Sequence, residues 1–289
     1  MKKLLICAAA FIIGCGGTQK SPDAVRKTLT VMTINVWSGL DYKGTLKMGE
    51  YENEERRNKR YRALLAEIAE KSPDIIGINE ANFLPGYART LAADAGYDVI
   101  YHVGVAGLKV FRVGLPWNLK EGDCILAKKD LGLQWVGRKQ LSGGGFIWNN
   151  LSFHTADATQ VVVGRIRVNG VDIYAAVTHW HASPANTIEM KKKLNELKKK
   201  WGYTDSQLDD AERKLIEDQQ WRMEEARLMA AYLREVVPAG AKLVVMGDFN
   251  AVVESPEVKL FLDSGYWDAY RGPRGYTWDP VNENIKKYY

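Results

Sequence analysis

Four apolar, β-branched segments each end on polar residues, and this pattern constrains the fold more than any other feature. Such runs are typical of strands covered on both faces in an α/β protein. Polar residues at the ends of core strands face a cleft from rigid supports, so the pattern predicts a functional site there. The segments are LTVMTINVW with Asn35, IIGINE with Glu80, VDIYAAVTHWH with His179 and His181, and KLVVMGDFN with Asp248 and Asn250.

Between these strands, residue spacing predicts helices and a hairpin. Apolar residues recur at helical spacing over 52–71, and Ser72-Pro73 ends that helix. Asn169-Gly170 lies between two apolar runs and predicts a β-hairpin, because both turn positions tolerate positive φ. Further strands are predicted at 97–103 and 122–128, and further helices over 187–237 and 256–262.

No proline-rich or low-complexity linker divides residues 29–289, which we interpret as one domain. The chain is 46% hydrophobic and 26% charged, which excludes a disordered chain and a polytopic membrane protein. A net charge of +5 permits a phosphate-bearing substrate without requiring one. Lysine runs at 191–193 and 198–200 are interpreted as a solvated face, with contact to anionic headgroups or nucleic-acid phosphates as the alternative.

The first residues are predicted to direct export. Residues 1–14 have a basic start and a short apolar stretch, and Ile12-Ile13-Gly14-Cys15 resembles a bacterial lipobox. We therefore expect a signal peptide over 1–14, lipid on Cys15, a tether over 15–28, and a bacterial lipoprotein anchored to a membrane and facing the periplasm or cell exterior. A plain signal peptide or an uncleaved anchor is the alternative. Only Cys124 would remain as a thiol, so no intrachain disulfide is expected.

The residue types at the strand ends suit a hard cation and a phosphate. One carboxylate with amides, and no cysteine or histidine cluster at metal spacing, favours Mg²⁺, which prefers oxygen ligands. His179 can donate to a phosphoryl oxygen, and Asp248 can orient a nucleophile. Together they indicate metal-assisted hydrolysis of a phosphate ester.

The chain resembles the endonuclease/exonuclease/phosphatase superfamily in its ordered motifs. This resemblance implies a four-layer α/β/β/α sandwich of the DNase I type, in which two mixed β-sheets pack face to face with helices outside. It also implies a site at one edge of the sandwich and a divalent cofactor, Mg²⁺ or alternatively Mn²⁺. The matching segments are TINVW, SPDIIGINE, VTHWHA and GDFNAVVESPE, with GYTWDP at 275–280 as a weaker late motif.

The resemblance also implies roles for individual residues. Glu80 matches the metal ligand and Asn35 its support, whereas His179 matches the histidine that stabilises the pentavalent phosphorus. Asp248 and Asn250 match the pair that positions water and phosphate. His181 and Asp279 are two further candidates for supporting the site. The alternatives are that His181 is a polar residue that only lies nearby, and that Asp279 starts a turn before Pro280.

One departure from the family pattern concerns the end of the chain. The family ends with an Ile-Asp strand and a histidine motif assigned as general base, whereas the last histidine here is His181. We expect the 289 residues to be a fragment of a longer reading frame, because the other site positions are intact. A true truncation would leave an altered or inactive protein, since general-base loss costs ~10²–10⁴ in rate.

The motifs predict the reaction class more closely than the substrate. GYTWDP looks closest to the neutral sphingomyelinase-like branch, which with the expected lipid tether favours a phosphodiesterase acting on a phospholipid headgroup. A secreted nuclease and a sugar or inositol phosphate phosphatase remain open. A surface lipoprotein using an inactive fold as a binding scaffold is the alternative of another class. No protein partner is implied.

Overall fold

Within the described part of the chain, ten strands and five α-helices build two β-sheets with helices against them. The computed structural model describes residues 26, 28–40, 52–110, 113–143, 145–147, 151–154, 159–270 and 277. The strands are β1 (Val31–Asn35), β2 (Ile75–Ala81), β3 (Tyr97–Val110), β4 (Val113–Lys128), β5 (Gln134–Gln140), β6 (Gly145–Ile147), β7 (Leu151–His154), β8 (Gln160–Val168), β9 (Val171–His179) and β10 (Lys242–Asp248). The helices are α1 (Glu54–Lys71), α2 (Gly86–Ala95), α3 (Ile188–Trp201), α4 (Asp205–Val236) and α5 (Pro256–Asp263), with one 3₁₀ turn at Lys129–Leu131.

Both sheets are mixed, with one parallel pair at an edge of each. Sheet I has the strand order β1-β2-β4-β3-β7-β6, and sheet II has the order β10-β9-β8-β5. In sheet I, β1 runs parallel to β2 with Asn35 opposite Asn79. In sheet II, β10 runs parallel to β9 with Asp248 opposite His179. The remaining pairs are antiparallel.

The helices and sheets pack in four layers, which confirms the predicted α/β/β/α sandwich. Side chains such as Ile75, Ile125, Val177 and Met246 form the apolar core between the two sheets. The outer side of sheet I is covered by α1 and α2. The outer side of sheet II is covered by the second half of α4 and by α5. Burial of apolar area on three interfaces stabilises this arrangement.

Local sequence signals account for where the predicted elements begin and end. Asn53 caps α1 by accepting a hydrogen bond from the Arg56 N–H, and Ser72 ends the helix in the left-handed conformation. Asn169 and Gly170 have φ values of +50° and +80°, as a two-residue hairpin turn requires. The predicted helical stretch over 187–237 is interrupted by Gly202 at φ +70°, which separates α3 from α4.

The sequence pattern predicted that β1 and β10 are covered on both faces, and this prediction is wrong. Along β1, exposed and half-buried residues alternate, and β10 has one fully buried residue, Met246. The reason is position, because each strand pairs with one neighbour among the described strands and forms a sheet edge. No helix in the described residues is long and apolar enough to cross a membrane. Cys15, the signal and tether segment up to residue 25, and Asp279 lie outside the described residues.

Candidate active site

Strand register brings the predicted site residues of both sheets to one edge of the sandwich. Asn35 and Glu80 lie at the carboxyl ends of the parallel strands β1 and β2. His179 and Asp248 lie at the ends of β9 and β10, directly opposite each other. Asn250 follows two residues later and is linked to Asp248, because its N–H donates to Asp248 Oδ1 at 3.0 Å.

The side chain of Asn35 bridges the two sheets at this edge. Its Nδ2 donates to Glu80 Oε1 at 2.7 Å and to Asp248 Oδ2 at 3.0 Å. Its Oδ1 accepts a hydrogen bond from the Trp37 N–H at 2.9 Å. Asn35 therefore supports the two carboxylates as a donor, while Glu80 also accepts from the Ser38 N–H at 3.0 Å.

A second bridge, Asn79, lies one layer deeper and was not predicted. Its side chain is fully buried and donates to Asp123 Oδ1 at 2.7 Å and to the Thr178 carbonyl at 2.9 Å. Its own Oδ1 accepts from the Asp248 N–H at 2.9 Å. This one amide therefore joins β2 to β4, β9 and β10 beneath the polar residues of the site.

Two acidic residues of β4 complete the surroundings of His179, and sequence reasoning missed both. Asp123 is buried and accepts from Asn79 and from Gln160 Nε2. Glu121 lies near Glu80 and His179. A signal was available, since EGD is a charged group at the start of the apolar run CILA. Buried acids of this kind are found most often at functional sites.

These acids set the proton affinity of the site. Burial lowers the pKa of His179, but attraction to Asp123, Asp248, Glu80 and Glu121 outweighs it and raises the pKa above the usual value. Burial raises the pKa of Glu121 to about 8, with repulsion from Glu80 adding to the effect. The pKa of Asp123 is also raised, again chiefly by burial. The cluster therefore favours a protonated histidine.

The ring of His181 lies in a different environment from that of His179. Its Nε2 is 3.0 Å from Asp218 Oδ1 on α4, and its ring stacks on Trp221 with centroids 4.2 Å apart. Its backbone N–H donates to Glu225 Oε2 at 2.8 Å. The structure thus places His181 where the loop after β9 is attached to α4.

Backbone conformation at the site is unusual and is held by close packing. Glu80, Asn250 and Trp37 have φ values of +57°, +47° and +58°, which cost about 1–3 kcal/mol each in non-glycine residues. Gly247 has φ +137°, and a Cβ there would lie 1.9 Å from the Thr178 carbonyl oxygen. Such strain persists only where the surroundings impose it, as they do at binding and catalytic sites.

The donor atoms at this edge fit a hard divalent cation with few protein ligands. No group of three or more His, Cys, Asp or Glu residues in the described part of the chain is placed to hold a metal ion. Mg²⁺ commonly keeps several waters and takes one or two carboxylates together with substrate phosphate. Glu80 offers such a carboxylate, oriented by Asn35 and the Ser38 N–H.

Comparison with known proteins identifies relatives of this arrangement. The profile described as the Endonuclease/Exonuclease/phosphatase family matches residues 32–286. No curated protein matches the chain. Among solved structures, the human Nocturnin catalytic domain with bound sulfate is 17% identical to this chain and has a TM-score of 0.50. The matched region spans 82% of this chain and 70% of the Nocturnin chain. The β-hairpin deletion mutant of beta toxin from Staphylococcus aureus is 17% identical, with coverages of 91% and 82% and a TM-score of 0.55. At this identity the likeness concerns the fold.

Proposed function

Because this chain belongs to the endonuclease/exonuclease/phosphatase family, we propose that it hydrolyses a phosphate ester by attack of water on phosphorus, with a divalent metal ion as cofactor. The observation that carries the proposal is the convergence of Asn35, Glu80, His179 and Asp248 at one edge of the sandwich. These residues come from four strands and two sheets, and polar residues so arranged have no packing role that explains all of them.

The metal ion would be held by Glu80, with Asn35 keeping the carboxylate in place. Mg²⁺ is the favoured ion and Mn²⁺ the alternative, since both accept oxygen ligands. When bound, such an ion neutralises the charge of a phosphate ester and stabilises the charge that develops on its oxygens.

His179 would donate a hydrogen bond to a phosphoryl oxygen as negative charge accumulates there. The surrounding carboxylates favour its protonated form, and Asp123 is the first of them in effect. Asp123 is itself held by Asn79 and Gln160, so it attracts the imidazolium without being free to move. We assign Asp123 as the residue that keeps His179 charged.

Asp248 and Asn250 would position the attacking water and the phosphate. Asp248 accepts from Asn35 Nδ2 through one oxygen and from the Asn250 N–H through the other. Each oxygen keeps a further lone pair, so this fixed carboxylate can also accept a hydrogen bond from the attacking water and orient it. Asn250 is anchored because its Nδ2 donates to the Trp180 carbonyl at 3.0 Å.

As substrate we favour a phosphodiester in a phospholipid headgroup. Support comes from the GYTWDP segment, which is similar to the sphingomyelinase-like branch, and from the lipid expected on Cys15. Lipidation would keep the protein at a membrane, where its substrate is concentrated. Substitution Cys15→Ser should move the protein from the membrane pellet to the soluble fraction, and retention in the pellet would contradict the anchor.

The proposed activity is tested by hydrolysis with and without Mg²⁺. Sphingomyelin, bis-p-nitrophenyl phosphate, DNA and an inositol phosphate are compared on the full chain. We expect metal-dependent turnover, fastest on sphingomyelin. Turnover fastest on DNA or on the inositol phosphate would replace the phospholipid by that substrate, and no turnover on any of the four would favour the binding scaffold.

The metal assignment has its own test that does not depend on turnover. Mn²⁺ binding, followed by electron paramagnetic resonance, should weaken at least about tenfold in Glu80→Gln. Glu67→Gln, an exposed change on α1, is the matched control and should bind Mn²⁺ as the unmodified chain does. Equal Mn²⁺ affinity of the two variants would remove Glu80 from the site.

A further inference from the structure

A helical hairpin stands outside the four layers of the fold. It consists of α3, the turn at 202–204 and the first turns of α4, and we call it the α3–α4 hairpin. No side chain of α3 is buried, and the buried residues of α4 begin at Leu215. Its base is attached to the body where Asn186 Nδ2 donates to Gln219 Oε1 at 3.0 Å. About three turns of each helix therefore extend into solvent.

Charge is separated between the two helices of this hairpin. α3 has six lysines and two glutamates, whereas the exposed start of α4 is rich in Asp and Glu. Among described residues, Lys198 pairs with Asp205, and none of the other five lysines has an ion-pair partner. Four of those five are exposed: Lys192, Lys193, Lys199 and Lys200. The exposed Glu189 and Glu196 lie on the same side at helical spacing, so this side of α3 has a net positive charge, and such a face attracts phosphate groups.

Apolar side chains accompany the lysines at both ends of α3. Trp201 is 58% exposed and Tyr203 is 42% exposed, and the two rings meet edge to face at the turn with centroids 5.8 Å apart. Ile188, at the other end of the helix, is 69% exposed. Because Trp201 and Tyr203 touch, they form one contiguous exposed apolar patch, and such patches mark interaction sites more often than isolated apolar residues do.

We propose that the α3–α4 hairpin docks on an anionic lipid surface. Lysines attract the headgroup phosphates, and Trp201 and Tyr203 enter the interface, where aromatic rings with a polar end are favoured. Ile188, the exposed apolar residue at the other end of α3, has no ring on which a base could stack, so the apolar groups together fit a lipid interface better than a nucleic-acid strand. The surface lies outside the site residues, and the inference does not depend on hydrolysis.

The test is co-sedimentation of the full chain with vesicles. Vesicles of phosphatidylcholine alone are compared with vesicles that contain equal amounts of phosphatidylglycerol and phosphatidylcholine. Apolar residues 4–13 contribute alike to both, so the readout is the excess binding to the anionic vesicles. Each lysine near such a surface strengthens binding about fivefold. Changing Lys192, Lys193, Lys199 and Lys200 to Gln should therefore reduce this excess at least about tenfold.

Matched variants separate this surface from general charge. Changing Lys59, Arg62, Lys129 and Lys259 to Gln removes the same charge from exposed positions elsewhere and should leave the excess within about twofold of the unmodified chain. Trp201→Ser should weaken binding more than Trp135→Ser, an exposed tryptophan on β5.

Three results would overturn the proposal. The first is equal binding of the α3 quadruple variant and its control. The second is an excess that persists at high salt, because screening must weaken a lysine-based contact. The third is that duplex DNA, at equal phosphate concentration, displaces the unmodified chain from anionic vesicles, whereas the α3 quadruple variant does not bind the DNA. This result would assign the surface to nucleic acid.

Discussion

The side-chain oxygen of Asn79 on β2 accepts a hydrogen bond from the backbone N–H of Asp248 on β10 at 2.9 Å. Because the two residues belong to different sheets, this bond sets the distance between sheets I and II at the site. The position of Asp248 therefore depends on a buried amide that bonds to the backbone of this residue and not to its carboxylate.

Replacing Asn79 by Leu should lower both stability and turnover. The Asp123 carboxylate and the Asp248 N–H would lose a partner, at about 1–3 kcal/mol for each buried group left unpaired. Urea unfolding and steady-state kinetics measure the two effects. Asn53→Ala, which removes the cap of α1, should cost about 1 kcal/mol and leave turnover unchanged. If both variants lost turnover in proportion to stability, Asn79 would have no positioning role.

Asp248→Asn should reduce kcat about 10²–10⁴-fold with little change in KM. The amide keeps the shape of the carboxylate but has one acceptor oxygen in place of two, so it can accept from Asn35 or from Asn250 but not from both, and it has less capacity to orient the attacking water. Kinetics on bis-p-nitrophenyl phosphate separate the two parameters. A variant with raised KM and unchanged kcat would show that Asp248 only holds substrate.

Gly247→Ala should destabilise the fold by considerably more than Gly240→Ala. Both glycines have positive φ, +137° and +78°, so both substitutions carry backbone strain. A Cβ at 247 would also meet the Thr178 carbonyl oxygen at 1.9 Å, whereas nothing lies within 4 Å at 240. The difference in urea midpoint therefore measures the clash between β9 and β10. Equal midpoints would mean that the two strands can separate at no cost.

Arg222→Met should cost about 3–5 kcal/mol, because it leaves the fully buried Glu257 carboxylate without its charge partner. The two side chains form an ion pair with Nε and Oε1 3.0 Å apart, between α4 and α5. Adding Glu257→Leu to Arg222→Met should recover most of the loss, since an apolar pair replaces the ion pair. Urea unfolding of the four combinations provides the double-mutant cycle. Additive losses would contradict a direct pairing.

The stabilising effect of Asp74 should depend on pH. Burial alone would raise its pKa, but the Thr30 N–H, Lys128 and Arg26 outweigh burial and hold the pKa below its usual value. A lowered pKa in the folded state stabilises above the unfolded pKa of about 3.9, and the effect is lost as the pH falls through the folded value.

Asp74→Asn should therefore be clearly less stable than the unmodified chain at pH 7, and the difference in stability should narrow as the pH falls below the unfolded pKa of about 3.9 and through the lower folded value. Thermal or urea unfolding of both proteins at pH 7 and in acid measures this difference in stability. Asp209→Asn, an exposed change on α4, should show no such dependence. A gap that widened in acid would reverse the sign assigned to this carboxylate.

The sequence predicted the four polar strand ends well because strand pattern and residue type coincide there. Asn35, Glu80, His179 and Asp248 each follow an apolar run that is visible without a structure. Their proximity required the register of β1 with β2 and of β9 with β10, which no local signal encodes. The resemblance to the family supplied that information for the predicted site.

Residues missed by the sequence analysis act from the middle or start of strands. Asn79 and Asp123 lie inside segments that look like ordinary core, and their importance depends on contacts across 44 residues or more. Helix α2 was missed because its buried side is made of Ala88, Leu91 and Ala92, whose small residues give a weak periodic signal. The edge positions of β1 and β10 could not be inferred, since pairing partners are a property of the whole fold.

The parallel pairing of β9 with β10, in which Asp248 lies opposite His179, also makes the site a measure of folding accuracy. Side chains alternate between faces along a strand, so a slip of one residue would turn Asp248 away from His179. Circular dichroism would count such a slipped sheet as folded. Recovery of turnover during refolding would then report the fraction of molecules with native registry, separately from the fraction with native secondary structure.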